Sequence, residues 1–147
     1  MWPRKLSWLF SEFKNNFVKF VISKLIKNEN IYAVDDLYSI PTCANQVAKF
    51  LYKDKQIDNI KKNNQIYHFV GSGKTVSWYQ FACEILNNYN IYQKSKSKII
   101  PIKSYDFFKN NIRPKFSPLD NSKFSKEFNF KIDNWEKSLN ETIKRII

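Results

Sequence analysis

The chain has 147 residues, room for one ordinary domain, and its 43% apolar and 17% aromatic side chains are enough to fill a core, which excludes global disorder. Two glycines and five prolines exclude collagen-like and linker-like classes. The net charge is +12, but 22 of the 25 basic residues are Lys and only Arg4, Arg113 and Arg145 carry the planar fork that reads phosphates and bases bidentately. The 17 Asn and 17 Ile against 4 Ala point instead to AT-rich codon usage, so the charge alone does not argue for nucleic acid as a partner. No apolar run reaches the roughly 18 residues that a membrane-crossing helix needs. Met1-Trp2-Pro3-Arg4-Lys5 leads into Ser11-Glu12-Phe13-Lys14 without an uninterrupted apolar stretch, so no secretory signal is expected and a cytoplasmic protein is. Cys43 and Cys83 lack metal-ligand spacing and read as reduced structural thiols. The single histidine, His68, makes a His-based metal site or a Ser-His-Asp triad a poor reading.

In chain order, residues 15–27 read as an amphipathic helix, with Phe17, Val18, Phe20, Val21, Leu25 and Ile26 as its apolar stripe and Asn15 or Asn16 as cap. Burial against a sheet is its expected fate rather than a membrane surface. Ile31-Tyr32-Ala33-Val34 reads as a strand ending at Asp35-Asp36, and residues 42–52 as a helix with Val47, Ala48 and Leu51 inward. Residues 54–64 read as a polar connection, and residues 65–70 as a strand stopped by Gly71-Ser72-Gly73. A third helix is expected over 77–87, with Trp78, Phe81, Ile85 and Leu86 on one face. A Lys/Ser-rich loop precedes a strand over 98–102; residues 103–120 read as irregular; 121–128 and 134–147 read as helical. Helices alternating with short strands predict an α/β fold.

Several local motifs fail on inspection. Gly71-Ser72-Gly73-Lys74-Thr75 resembles the end of a phosphate-binding loop, but His68 stands where the first glycine is needed. Tyr92/Lys96 and Tyr105/Lys109 have the Tyr-x-x-x-Lys spacing of a proton-transfer pair, yet in a chain this rich in both residues roughly one match arises by chance. With two glycines, no G-x-G-x-x-G cradle for a dinucleotide exists. Asp35 and Asp36 are adjacent, so on a strand they face opposite sides and cannot act together as acid and base.

Taken in order, a set of longer segments carries more information. Ser7-Trp8-Leu9-Phe10 followed by Asn15-Asn16-Phe17-Val18-Lys19, then Val34-Asp35-Asp36 with Tyr38 and Pro41-Thr42, then Ile66-Tyr67-His68-Phe69 with Gly71, resemble successive motifs of the dTDP-4-dehydrorhamnose reductase family of extended short-chain dehydrogenase/reductases. The series continues with Ser77-Trp78-Tyr79-Gln80-Phe81-Ala82, Ile100-Pro101-Ile102 with Ser104-Tyr105, and Arg113-Pro114, Ser117, Leu119-Asp120, Ser122-Lys123, ending at Trp135 and Leu139.

The resemblance covers the carboxyl-terminal half of that family. It implies a partial Rossmann-like fold, with residues 1–147 as one substrate-side region and the N-terminal cofactor domain, its glycine-rich turn and its Tyr/Lys pair absent. The family reaction it implies is NADPH- or NADH-dependent reduction of the C4 ketone of dTDP-4-dehydro-L-rhamnose to dTDP-L-rhamnose, in nucleotide-sugar supply for cell-surface polysaccharide. It allows Mg2+ as a further family cofactor.

The resemblance also implies site roles. Trp8 matches a family tryptophan that packs on the deoxysugar, with a core aromatic as the alternative. Asn16 and Lys19 stand at a helix start near the diphosphate path, with a helix cap and a solvated face as alternatives. Arg113 is placed to clamp a phosphate bidentately. Trp78 and Tyr79 read as structural. No residue of this chain is expected to be catalytic, and no metal ligand is expected.

The chain departs from the family pattern in several places. Lys5 and Leu6 replace an Arg and a Thr, Leu37 and Ser39 replace a polar residue and a glycine, Ile112 replaces the first Arg of an Arg-Arg-Pro run, and Lys115 replaces a small residue, removing polar groups from the expected substrate surface. The expected partners are a dTDP-sugar, a separately made N-terminal half and a second copy in a homodimer. Three readings stay open: a substrate-side half that works with a cofactor-binding partner, a non-catalytic remnant, and a basic interaction protein marked by salt-dependent binding.

Overall fold

A computed structural model describes residues 4–52, 65–109 and 113–147. The polar connection expected over 54–64 lies outside the described residues. In chain order the elements are β1 (Arg4–Leu6), β2 (Leu9–Phe10), α1 (Phe17–Ile26), β3 (Ile31–Val34), β4 (Tyr38–Ser39), β5 (Thr42–Cys43) and α2 (Ala44–Tyr52). They continue with β6 (Tyr67–Phe69), β7 (Val76–Ser77), α3 (Trp78–Tyr92), β8 (Ile99–Ile102), α4 (Ser104–Phe108), α5 (Ser122–Phe128) and α6 (Trp135–Ile146). The expected α/β class holds, and the strands pair in twos: β1–β6, β2–β5 and β3–β8 parallel, β4–β7 antiparallel.

Two cores hold these pairs. The larger one buries Val18, Val21, Ile22 and Leu25 of α1 against Phe81, Ala82, Ile85 and Tyr89 of α3 and Leu139 and Ile143 of α6. The helix α1 is buried, but chiefly against helix α3 rather than against a sheet as expected, and its apolar stripe is narrower. Ile22 is buried, while Phe20 and Ile26 are 50% and 60% exposed. The second core is almost wholly aromatic. Phe50 of α2 meets Phe69, Phe124, Phe128 and Phe130 at ring centroids of 5.9, 4.7, 5.4 and 5.2 Å, mostly edge-on, the arrangement ring quadrupoles favour. Phe50 is therefore the inward residue of α2; Ala48 is exposed, and Val47 and Leu51 pack at the edge of this core.

The strand expected over 65–70 forms as β6 and pairs in parallel with β1, Leu6 opposite Phe69. Two further expectations are corrected. The segment 103–120 is not wholly irregular. Asp36 reaches across from β3, accepts bonds from the Ser104 N–H at 2.8 Å and the Ser104 hydroxyl at 3.0 Å, and so starts α4 from 68 residues away. The third helix runs five residues further than expected, to Tyr92, behind a capping box in which Ser77 Oγ accepts from Gln80 N–H and Gln80 accepts from Ser77 N–H.

The phosphate-loop look-alike has a structural role. Gly73 has φ +116°, and a Cβ there would lie 3.0 Å from the Trp135 ring. Trp135 donates its indole N–H to the Lys74 carbonyl at 2.9 Å, and its backbone N–H bonds the Ser72 carbonyl at 2.9 Å. The Gly-Ser-Gly turn therefore seats the first turn of α6. At Gly71 a Cβ would meet the Pro41 carbonyl at 2.2 Å, so this glycine allows a close backbone approach.

Candidate functional site

The ends of β3, α1, α3 and α4 converge on one cavity of about 470 Å3. Trp8 enters from the turn between β1 and β2, Phe17 and Phe20 from α1, Tyr32, Ala33 and Val34 from β3, and Trp78 from the first residue of α3. Phe107 and Phe108 close one side, and the loop before α5 brings Arg113, Pro114 and Ser117. The lining is strongly aromatic, with a single guanidinium among its members, a combination suited to a flat or apolar ring carrying an anionic group.

Trp8 and Trp78 stack with centroids 3.9 Å apart and planes inclined by 19°, and Phe17 meets the Trp78 edge at 4.5 Å. Trp8 has φ +33°, a left-handed conformation that costs a bulky residue energy. The Trp8 carbonyl holds the strain in place by accepting the Thr42 N–H at 3.1 Å, and Thr42 Oγ1 in turn accepts the Gly71 N–H at 3.1 Å.

Arg113 is brought to the same cavity from 105 residues further along the sequence. Its Cζ lies 4.6 Å over the Phe108 ring, a cation–π contact that fixes the side chain while leaving the guanidinium exposed. The loop behind it is held to β4. Tyr38 N–H donates to the Lys115 carbonyl at 2.8 Å, and the Tyr38 carbonyl accepts the Ser117 N–H at 3.0 Å. The fully buried Ser39 hydroxyl donates to the Ser117 carbonyl at 3.0 Å. That leaves Ser7 as the donor in its 2.6 Å contact with Ser39 Oγ. A chain of two hydroxyls thus ties the turn carrying Trp8 to the loop carrying Arg113.

Of the four residues expected at a site, Trp8 and Arg113 share this cavity, while Asn16 and Lys19 are not among its lining residues. Asn16 caps α1: its Oδ1 accepts the Lys19 N–H at 3.3 Å, and its amide donates to the Ser11 carbonyl at 2.8 Å. Lys19 stands in the first turn of α1. Trp78, expected to be structural, lines the cavity, as do Tyr32, Phe20 and the Phe107–Phe108 pair. Nothing local in the sequence separates them from core aromatics: Phe20 and Trp78 fall on the apolar faces expected of their helices.

The carboxylates beside the cavity are committed elsewhere. Asp35 pairs with Lys103 Nζ at 2.9 Å. Burial alone raises the Asp36 carboxyl, but the Ser104 N–H and hydroxyl outweigh it and hold the group below its ordinary value. Burial pushes the Cys83 thiol up, so it is no activated nucleophile, and both Cys43 and Cys83 are free thiols.

Among the described residues, the two glycines do not fit the pyrophosphate of a nicotinamide dinucleotide. Both glycines are used in packing, against the Pro41 carbonyl and the Trp135 ring, leaving no backbone cradle for a pyrophosphate. Among the described residues no group of three or more His, Cys, Asp or Glu is placed to hold a metal ion, and no helix is long and apolar enough to cross a membrane.

A family model described as the RmlD substrate binding domain matches residues 4–147. A dTDP-4-dehydrorhamnose reductase of Aggregatibacter actinomycetemcomitans is 33% identical over 141 residues, which are 92% of this chain and 47% of that protein. Among solved structures, a dTDP-4-dehydrorhamnose reductase from Clostridium acetobutylicum superposes with a TM-score of 0.80 at 29% identity, over 97% of this chain and 48% of the other. The same enzyme from Bacillus anthracis, in complex with NADP, gives 0.79 at 26% identity, over 98% and 48%. The chain spans about half the length of the relatives it matches.

Proposed function

The chain belongs to the RmlD substrate binding domain family, and from that premise we propose that its aromatic cavity binds a dTDP-sugar for NAD(P)H-dependent reduction of dTDP-4-dehydro-L-rhamnose. The observation that carries the reading is the meeting of Trp8 and Arg113 in one cavity from positions 105 residues apart in the sequence. The Trp8–Trp78 stack offers an apolar face to the deoxysugar and its methyl group, and Arg113 meets the diphosphate with a two-pronged, charge-assisted contact. Asn16 contributes indirectly, by fixing the start of α1 and the Phe17 and Phe20 rings that follow it. Lys19 adds positive charge in the same turn.

Hydride delivery needs a cofactor-binding half that these residues do not form. This half contributes recognition and orientation of the sugar nucleotide, and the complementary half supplies the nicotinamide and the proton-transferring pair. Calorimetric titration with dTDP tests the reading. Binding is expected, and Arg113→Ala should weaken it roughly 10-fold or more, the worth of a hydrogen bond to a charged group. Trp8→Ala should weaken a dTDP-sugar more than dTDP itself. Equal affinities for the wild type and Arg113→Ala would overturn the assignment.

A further inference from the structure

We propose that the end of the domain opposite the cavity is a docking surface for an anionic lipid bilayer. Helices α1 and α3 begin side by side at the cavity, where Phe17 meets Trp78, and finish together at the other end, where Ser95 Oγ donates to the Leu25 carbonyl at 2.8 Å. With a rise of about 1.5 Å per residue, this second end lies roughly 13 Å from Phe17 along α1.

The sequence concentrates cations there. Residues 24–30 and 91–98 hold Lys24, Lys27, Lys94, Lys96 and Lys98 against one carboxylate, Glu29, which Lys24 already pairs. The lysine-bearing loop is fixed against the end of α1. Lys96 N–H donates to Asn28 Oδ1 at 2.8 Å, Lys98 N–H donates to Asn30 Oδ1 at 3.0 Å, and the Lys98 carbonyl accepts the Ile31 N–H at 2.9 Å. Lys27, Lys94, Lys96 and Lys98 are all exposed, within reach of anionic headgroups, with Lys94 Nζ also donating to the Asn90 carbonyl at 3.1 Å.

Two aliphatic side chains stand on the last turns of the same helices. Ile26 is 60% and Ile91 67% exposed. Aliphatic residues beside lysines suit insertion at a headgroup boundary. Tyr92, beside Ile91, is 41% exposed and suits the same boundary with its apolar body and polar tip; the lysines lack the arginine fork that nucleic acid rewards, with Arg113 at the cavity and Arg145 paired to Glu12. Docking here leaves the cavity open on the far side.

The test is sedimentation of the full chain with vesicles of phosphatidylglycerol and phosphatidylcholine, against vesicles of phosphatidylcholine alone. Binding is expected only to the anionic vesicles and should fall with added salt. Each lysine near such a surface contributes roughly a factor of five, so Lys27→Glu/Lys94→Glu/Lys96→Glu should lower partitioning at least about 100-fold. The same change of charge at exposed Lys126, Lys131 and Lys137 should lower it at least 10-fold less. Ile26→Ser/Ile91→Ser should remove the binding that survives high salt. Circular dichroism and dTDP titration of each variant should match the wild type. Equal losses from the two lysine sets, equal binding to neutral vesicles, or a loss of duplex RNA binding with vesicle binding intact would each overturn the proposal.

Discussion

Replacing Ser39 with alanine should damage the cavity without touching it. Ser39 is fully buried; its hydroxyl donates to the Ser117 carbonyl at 3.0 Å and accepts from Ser7 at 2.6 Å. Alanine at this position orphans the buried Ser7 hydroxyl, at about 1–3 kcal/mol, and removes one further bond worth about 1 kcal/mol. The sum is about 2–4 kcal/mol, or roughly a 5–15 °C fall in melting temperature for a chain of this size. Ser39→Gly, which restores the residue the family pattern carries there, should do no better, because the Ser7 proton still has no acceptor. Ser7→Ala/Ser39→Ala should recover part of the loss by removing both partners, giving a non-additive double-mutant cycle. Thermal denaturation measures the first effect and dTDP titration the second: with the loop from Arg113 to Ser117 loosened, affinity should fall several-fold although position 39 does not line the cavity. A Ser39→Ala variant that melts within 1 °C of the wild type and binds dTDP equally well would refute the reasoning.

Other outcomes follow from the same contacts. Gly73→Ala places a Cβ about 3 Å from the Trp135 ring at a φ of +116°, and should destabilise by about 2 kcal/mol or more in urea unfolding. Trp135→Phe keeps most of the packing but loses the donor to the Lys74 carbonyl, at about 1 kcal/mol. Burial raises the Glu12 carboxyl, but its own backbone N–H, Asn45 and Arg145 outweigh that and hold it below its ordinary value. A carboxylate depressed in the folded state contributes stability that is fully present above its unfolded value of about 4.3 and is lost as pH falls through the lower folded value. Glu12→Gln should therefore flatten the acid limb of the stability profile below about pH 4.3, which denaturation across a pH series would measure.

Elements whose signal is local were legible in the sequence. The Ile31–Val34 strand carries its β-branched run, Ser77 and Gln80 form a capping pair, and Asn16 and Asn134 cap α1 and α6. Strands β2, β4, β5 and β7 were not, because two residues have no periodicity and are defined only by partners far along the chain. Helix α4 has no local signal for a similar reason: its start is fixed by Asp36, across the β3–β8 pair. The buried stripe of α1 is narrower than its apolar pattern because hydrophobicity does not distinguish core from cavity rim, and Phe20 and Val21 are alike in that respect. The site divided along the same line. Trp8 and Arg113 stood out by their motifs, whereas the aromatic wall of Tyr32, Trp78 and Phe108 exists only once three elements meet.

Urea unfolding of the 147-residue chain, followed by tryptophan fluorescence with and without excess dTDP, tests the binding assignment most directly. One cooperative transition is expected, and dTDP at 100 times its dissociation constant should raise stability by about 2.7 kcal/mol. The same dTDP concentration should move Arg113→Ala far less. A transition that dTDP leaves in place, in the wild type as in Arg113→Ala, would contradict the assignment of this cavity to a dTDP-sugar.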